Sequence, residues 1–427
     1  MLMYSSNISS RLQYAVDALF GPWYSDIRIT DNLDEFIRYV GPSVCYDKSN
    51  LKEGSIWIDP AELIFQKGIT SIKPTLATWK DIPSPFSSGG DIGFDVFAAT
   101  FYMLSRYEEY SSDHILDNMG RFTAANSFAF KNGFLSRPIV DEYRLALSEI
   151  IESKWPNSAV KTKFEGITSI DVDSAFAYKH KGFKRSIGGM AKDVLSLRFG
   201  NLMRRIAALS GWIRDDYDTY DKIIAHSKNS GQKTIWFFLL ADFGSHDKNV
   251  PVESRQLREL IASLDSRSQV GIHPGVASNG DISTLKNEIN RLVEITRRPC
   301  FHSRQHYLIL RFPQTYKSLF DSGIRHEYSM GFADQPGFRA GTSFSFRWYD
   351  LESEQITDLI VHPFAYMDTT LNKYLSYGPT QASLAIAQLK EKVKKTEGTF
   401  ISLWHNESFC NRGIWTGWEE VYEKSLK

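Results

Sequence analysis

The sequence predicts an α/β protein in which a small α/β domain precedes a (β/α) barrel. Three observations carry that reading. From Phe164 onward, short apolar strands alternate with amphipathic helices, the pattern of a parallel sheet. The alternation runs for about 250 residues, enough for the sheet to close on itself. Carboxylates and imidazoles collect where these strands end, the rim that carries active sites in α/β barrels. With 427 residues the chain exceeds one ordinary compact domain. The division is expected at 160/161, giving domains 1–160 and 161–427, with polar Pro156–Lys163 as the linker.

In the N-terminal part, SIWIDPAELIF reads as a strand and its exit. DVFAATFYMLSRYEEY places Val96, Phe97, Phe101, Leu104 and Tyr107 at helical spacing, with Asp95 as N-cap. Leu145–Trp155 reads as another amphipathic helix, closed by Pro156. In the C-terminal part, GITSIDVD, KTIWFFLLADFG and QVGIHP read as strands. Arg255–Leu264 is helical, with Leu257, Leu260, Ile261 and Leu264 on one face, and Ile282–Ile295 repeats the pattern. DLIVHP is a strand, Thr380–Lys395 a helix stopped near Gly398, and TFISLWHN the last strand. Lys179–Arg214 stands apart, with nine Lys or Arg against one acid, Asp193. Leu197, Leu202, Ile206, Leu209 and Ile213 give it roughly helical spacing. It reads as a helical insertion, its basic face either solvated or a contact for anionic lipid or a phosphorylated substrate.

Composition excludes several classes. Hydrophobic residues at 42% and charged residues at 23% rule out global disorder. Fifty Lys plus Arg balance 50 Asp plus Glu, which argues against a nucleic-acid partner. Cys45, Cys300 and Cys410 are scattered, so neither a zinc ribbon nor a disulfide framework is expected. The first residues lack a basic stretch followed by an apolar one, and no apolar run is long enough to span a bilayer. We therefore expect a cytoplasmic protein, its oligomeric state left open.

Chemistry concentrates in the second part, which holds nine of the ten histidines. Asp171 and Asp173 end a strand, and residues i and i+2 of a strand face the same side. Two close carboxylates resist joint ionisation unless a cation sits beside them, so one suits a metal ligand and the other a general base. His273 ends a strand, Arg304 and His306 follow in HSRQHYL, and His405 ends the last strand. An acidic pair, then His, then Arg-x-His-Tyr, then Leu-x-His, all at strand ends, is a rare arrangement.

These residues resemble the motifs of the polysaccharide deacetylase catalytic domain, the NodB-homology or carbohydrate esterase family 4 type, from about Phe164 to the end. The resemblance implies a deformed barrel and a divalent metal, zinc as first choice. It implies Asp171 as base, Asp173 and His273 as ligands, Arg304 as the base's partner and His405 as general acid. It also implies the Tyr307 backbone N–H as an oxyanion donor and Leu403 as a pocket wall. The family's second motif is His-x-x-x-His, whereas here Ala277 holds the second position. His306 stands where the family has Pro and is the expected third ligand; Ser278 or water is the other repair.

The blocks DVFAATFYMLSRYEEY, GRFTA, GFLSRPIVDEY, YSMGFADQPGFRAGT and HPFAYMDTTL are similar to a subgroup common in Bacteroidetes, in which a domain of unknown function precedes the deacetylase-like one. Those blocks contain Asp334, Arg339, His362 and Asp368. Arg339 is expected either to grip an anionic or hydroxyl-rich substrate or to form a structural salt bridge inside its loop, and His362 to contact substrate at the rim. Trp404, Tyr307, Trp348 and Phe346 are candidates to stack on sugar rings. The implied activity is release of acetate from an N-acetylated carbohydrate, with peripheral contact to a membrane or a lipid-linked substrate. The alternatives are a glycan-binding or scaffolding protein of impaired activity, favoured by Ala277, and a metal-dependent amidase of the same fold.

Overall fold

The computed structural model describes residues 1–24, 26–111, 114–158 and 162–427. The expected boundary at 160/161 and the centre of the linker lie outside the described residues.

The N-terminal region is built on a four-stranded parallel sheet. In chain order come β1 (Leu2–Tyr4), α1 (Ser10–Phe20), β2 (Arg28–Thr30), α2 (Leu33–Arg38), β3 (Ser43–Tyr46) and β4 (Ile56–Ile58), and the strands lie in the order β2-β1-β3-β4. An antiparallel pair follows, β5 (Leu76–Trp79) with β6 (Ile82–Pro85), and then α3 (Val96–Leu104), α4 (Phe128–Lys131) and α5 (Ile139–Lys154). Asp95 caps α3 as expected, its Oδ1 accepting from the N–H groups of Phe97 and Ala98. Every residue of α3 is buried, Thr100 included, so this helix is enclosed all round.

The C-terminal region alternates strand and helix. It comprises β7 (Glu165–Val172), α6 (Phe183–Leu195), α7 (Phe199–Leu209), α8 (Tyr220–Ser230), β8 (Lys233–Phe238), α9 (Arg255–Asp265), β9 (Gln269–Ile272), α10 (Ile282–Thr296), β10 (His302–Ser303), α11 (Gln314–Asp321), β11 (His326–Glu327), β12 (Phe346–Asp350), β13 (Gln355–Val361), β14 (Tyr366–Met367), α12 (Pro379–Lys395), β15 (Thr399–His405) and α13 (Trp418–Leu426). Nine strands form one sheet in the order β12-β13-β11-β10-β9-β8-β7-β15-β14, parallel except for β12 with β13. This is the mixed α/β architecture the sequence predicts. Among the described residues no ladder joins β12 to β14, so the sheet is rolled without being laced shut. The rolling is visible in one contact. Arg304, just past β10, reaches Asp171 of β7 at 3.1 Å, although three strand spacings span about 14 Å in a flat sheet.

Strand alternation sorts the side chains. Ile167, Ile235, Phe237, Ile401 and Leu403 fill the interior of the roll. Ile170, Val172, Trp236, Phe400 and Trp404 face the helices outside. The polar residues of the site are simply the next interior positions at the C-terminal edge.

Buried charge joins the two regions. Glu109 lies between Arg106 (Nε to Oε1, 2.7 Å) and Arg339 (Nε to Oε1, 2.9 Å), and all three are buried. Breaking such a pair by removing one partner costs about 3–5 kcal/mol. No helix among the described residues is long and apolar enough to cross a membrane.

Candidate active site

Register places the site. β15 pairs with β7 so that His405 lies beside Asp171. His273 follows β9 directly, Arg304 and His306 follow β10, and Asp368 follows β14. Asp173, His273 and His306 converge with their ligand atoms within 4.8 Å of one another. His273 Nε2 lies 3.2 Å from Asp173 Oδ1, and His306 Nε2 lies 3.6 Å from Asp173 Oδ2. Ala277 sits in the turn Val276–Gly280 and offers no ligand atom.

Hydrogen bonds assign the ring protons. His273 Nδ1 is 2.6 Å from the Arg304 carbonyl oxygen, and His306 Nδ1 is 2.7 Å from Asp247 Oδ1. Both oxygens only accept, so both Nδ1 atoms carry hydrogen. In the neutral rings the Nε2 lone pairs then face the Asp173 carboxylate. Its Oδ1 is buried and has no hydrogen-bond partner among the described residues. Lone pairs meeting a carboxylate repel unless a cation lies between them. The group therefore fits a divalent metal, with the outer nitrogens tethered as metal-binding histidines usually are. Without a metal the same geometry favours a proton. Burial works against it, but Asp173 and Asp247 outweigh burial and raise His306 to about 9. Burial of Asp173 is likewise outweighed, first by His306, and its carboxyl is held well below the usual range.

Asp247 comes from the loop after β8 and also accepts from the Val276 N–H. Gly275 makes that approach feasible: a Cβ there would stand 2.5 Å from Ala241 Cβ and 2.9 Å from Asp247 Oδ2.

Two further groups flank the Asp173, His273 and His306 cluster. Asp171 is buried and accepts from Arg304 Nη1, while Arg304 Nε donates to the Tyr328 carbonyl at 3.0 Å. The arginine is fully buried between Phe237 and Phe364, its guanidinium 4.9 and 5.4 Å from their ring centroids. His405 is turned by Asp368, whose Oδ1 lies 2.8 Å from Nδ1. Asp368 is itself fixed by the His405 N–H at 2.8 Å and the Ser408 hydroxyl. His405 Nε2 faces the centre, 3.9 Å from Asp173 Oδ2. Burial opposes its protonation, but Asp368, then Asp173 and Asp171, raise it to about 10.

A cavity of about 160 Å³ lies over these groups. Asp171, Asp173, His273, His306, Tyr307 and His405 line it, and Arg121, Lys373, Tyr374 and Glu407 are at its walls. Arg121 comes from the N-terminal region and donates to the Tyr307 carbonyl (2.9 Å) and the Tyr374 hydroxyl (3.1 Å). Tyr307 has a left-handed backbone (φ 58°), and its N–H finds no acceptor among the described residues. A larger groove of about 440 Å³, between α5 and α12, contains none of the expected site residues.

Six expected substrate contacts lie elsewhere. Trp404 packs on Tyr366, Phe409, Trp418 and Tyr422, because its neighbour His405 takes the interior face. Leu403 shares the face of His405 but is buried in the interior beneath the cavity. Arg339 is committed to Glu109 and the Gly331 carbonyl. His362 stacks on Tyr328, with ring centroids 4.3 Å apart, and bonds His326 and Ser345. Trp348 and Phe346 are core residues. In turn, sequence reasoning missed Asp247 and Arg121, and it quoted Asp368 without a role.

Comparison with known proteins splits along the chain. A family model described as a family of unknown function, DUF7033, matches residues 1–156. No curated protein is matched in sequence. Among solved structures, a Mycobacterium smegmatis protein assigned as a polysaccharide deacetylase is similar at 12% identity, covering 64% of this chain and 86% of that one, with a TM-score of 0.40. An allantoinase is similar at 10% identity, with 63% and 85% covered and a TM-score of 0.37. The polysaccharide deacetylase Bc1974 from Bacillus cereus is similar at 10% identity, with 62% and 86% covered and a TM-score of 0.30.

Proposed function

We infer that the chain is a metal-dependent hydrolase that removes acetyl groups from N-acetylated sugars of a glycan or glycan precursor. One observation carries this reading. A single cavity joins an Asp–His–His ligand set, a carboxylate held by a buried arginine, and an imidazole held by a buried aspartate. The sugar substrate rests on the motif resemblance.

Asp173, His273 and His306 would hold the divalent ion, and their nitrogen-rich set suits zinc. Bound there, the ion supplies Lewis-acid polarisation of the acyl carbonyl and a lowered pKa for water. Asp171, aligned by Arg304, takes a proton from the attacking water. The Tyr307 N–H donates to the carbonyl oxygen as charge builds on it. His405 gives its Nε2 proton to the nitrogen as the C–N bond breaks, and acetate and a free amine leave. In this reading residues 161–427 carry the chemistry, and residues 1–160 supply Arg121 to the cavity wall.

The test is acetate release from N-acetylglucosamine oligomers, peptidoglycan fragments and nucleotide-activated N-acetyl sugars by the zinc-loaded protein. Release that persists in the double variant Asp171→Asn, His405→Ala would falsify the assignment.

A further inference from the structure

The basic segment is a helical hairpin, α6 and α7, inserted between β7 and α8. More than a third of the large hydrophobic side chains exposed among the described residues fall within Phe183–Trp212. Phe183 is 81% exposed, Leu195 85%, Leu197 76% and Trp212 82%. They follow a pattern: Phe183, Ile187 and Val194 share one stripe of α6, and Phe199, Met203 and Ile206 share one of α7. The tip between the helices exposes Leu195, Leu197 and Phe199 around Arg198.

Charge says what covers this face. Arg204, Arg205 and Arg214 are paired, with Asp216, Asp193, and Asp218 plus Asp221 respectively. Lys184, Lys192 and Arg198 are exposed and have no ion pair among the described residues. The hairpin's one acid, Asp193, is buried against Arg205. A second copy of the same face would therefore bring cations against cations. An apolar stripe bordered by Lys184, and an apolar tip that carries Arg198 just past Lys192 in the last turn of α6, match a surface that is both apolar and anionic.

We propose that the α6–α7 hairpin docks the protein on an anionic lipid bilayer. The root of the hairpin lies at the catalytic rim. Asp215 accepts from the N–H groups of Ala177, Tyr178 and Lys179 (2.6–3.0 Å), and Asn406, next to His405, donates to the carbonyls of Ser174 and Tyr217, both at 3.1 Å. Docking would thus hold the protein through an element rooted beside the cavity. The proposal does not depend on the reaction assigned above, because binding is read without turnover.

The experiment is co-sedimentation of the full chain with phosphatidylcholine vesicles, with and without phosphatidylglycerol. Binding to the anionic vesicles, weakened by salt and absent from phosphatidylcholine alone, is expected. Changing Lys184, Lys192 and Arg198 to Gln should lower partitioning about fivefold for each cation removed. The variant Leu195→Ser, Leu197→Ser, Phe199→Ser should abolish it while circular dichroism and thermal unfolding stay unchanged. No binding to anionic vesicles, or binding indifferent to both variants, overturns the proposal. So does self-association that the serine variant abolishes in a protein that ignores vesicles.

Discussion

Two groups of histidines are built into the same sheet and behave in opposite ways. His306 and His405 each face carboxylates, and despite burial they are raised to about 9 and about 10. His302, His326 and His362 stack on one another around Tyr328 with no carboxylate partner among the described residues. Burial pushes His302 down to about 4 and His362 to about 3, and each adds to the neighbouring imidazoles' reluctance to charge. Ring type and burial are shared, so the difference lies in what the second nitrogen touches. An imidazole tethered to a carboxylate is prepared for metal or proton chemistry, whereas one tethered to another imidazole or a hydroxyl is packing material.

The sharpest way to break this contrast is to remove the chemistry from the first group alone. Asp171→Asn or His405→Ala should each lower acetate release by about 10²–10⁴-fold, the usual worth of a positioned acid or base. His362→Phe should leave it unchanged, since that ring lines no part of the cavity. Equal losses from both would erase the distinction. The next largest effect concerns the tether. Asp247→Ala should weaken zinc binding by about 10–100-fold, read by competition with a chelator. Gly275→Ala should do the same in milder form by pushing Asp247 away.

The pH dependence of stability carries opposite signs in the two groups. His302 and His362 have folded pKa values below the unfolded value of about 6.5, so the unfolded chain binds more protons. Stability is complete above about 6.5 and falls with pH, by about 1.4 kcal/mol per unit for each ring, until their folded values of about 4 and about 3 are reached. His405 is raised, so its contribution is complete below about 6.5 and is lost as pH climbs toward about 10. His362→Phe should flatten the acid limb in denaturant titrations, and Asp368→Asn should flatten the alkaline one. The smallest effect expected is from Trp212→Ser, an exposed side chain whose loss should leave the melting temperature unchanged.

Strand periodicity made most of this legible in the sequence. The i and i+2 rule that put Asp171 and Asp173 on one side also puts Leu403 and His405 together, and it excludes Trp404 from the cavity. Applied evenly, it would have removed that residue as a sugar platform. Helix ends were less legible: α5 begins at Ile139, six residues before the expected Leu145, because Asp141 and Glu142 suit a first turn. Asp247 was beyond reach, since a loop acid nine residues past its strand has no periodicity to place it. Arg121 was hidden for a similar reason, because its partners Tyr307 and Tyr374 lie far away in sequence. His306 stands out in the sequence only because Ala277 leaves a ligand position empty, and its tautomer follows from its contact with Asp247, which the sequence does not show.

The Glu109 clamp has a consequence for how the protein is made. Synthesis runs from the N-terminus, so Glu109 leaves the ribosome long before Arg339. Arg106, three residues earlier, already stands as its counter-charge, and the first-made half does not wait with a bare carboxylate inside it. Arg339 has no such local substitute: beyond Glu109 it bonds, among the described residues, only the Gly331 carbonyl. A fragment holding residues 162–427 alone would leave Arg339 without its carboxylate, whereas one holding residues 1–158 would keep the Arg106–Glu109 pair.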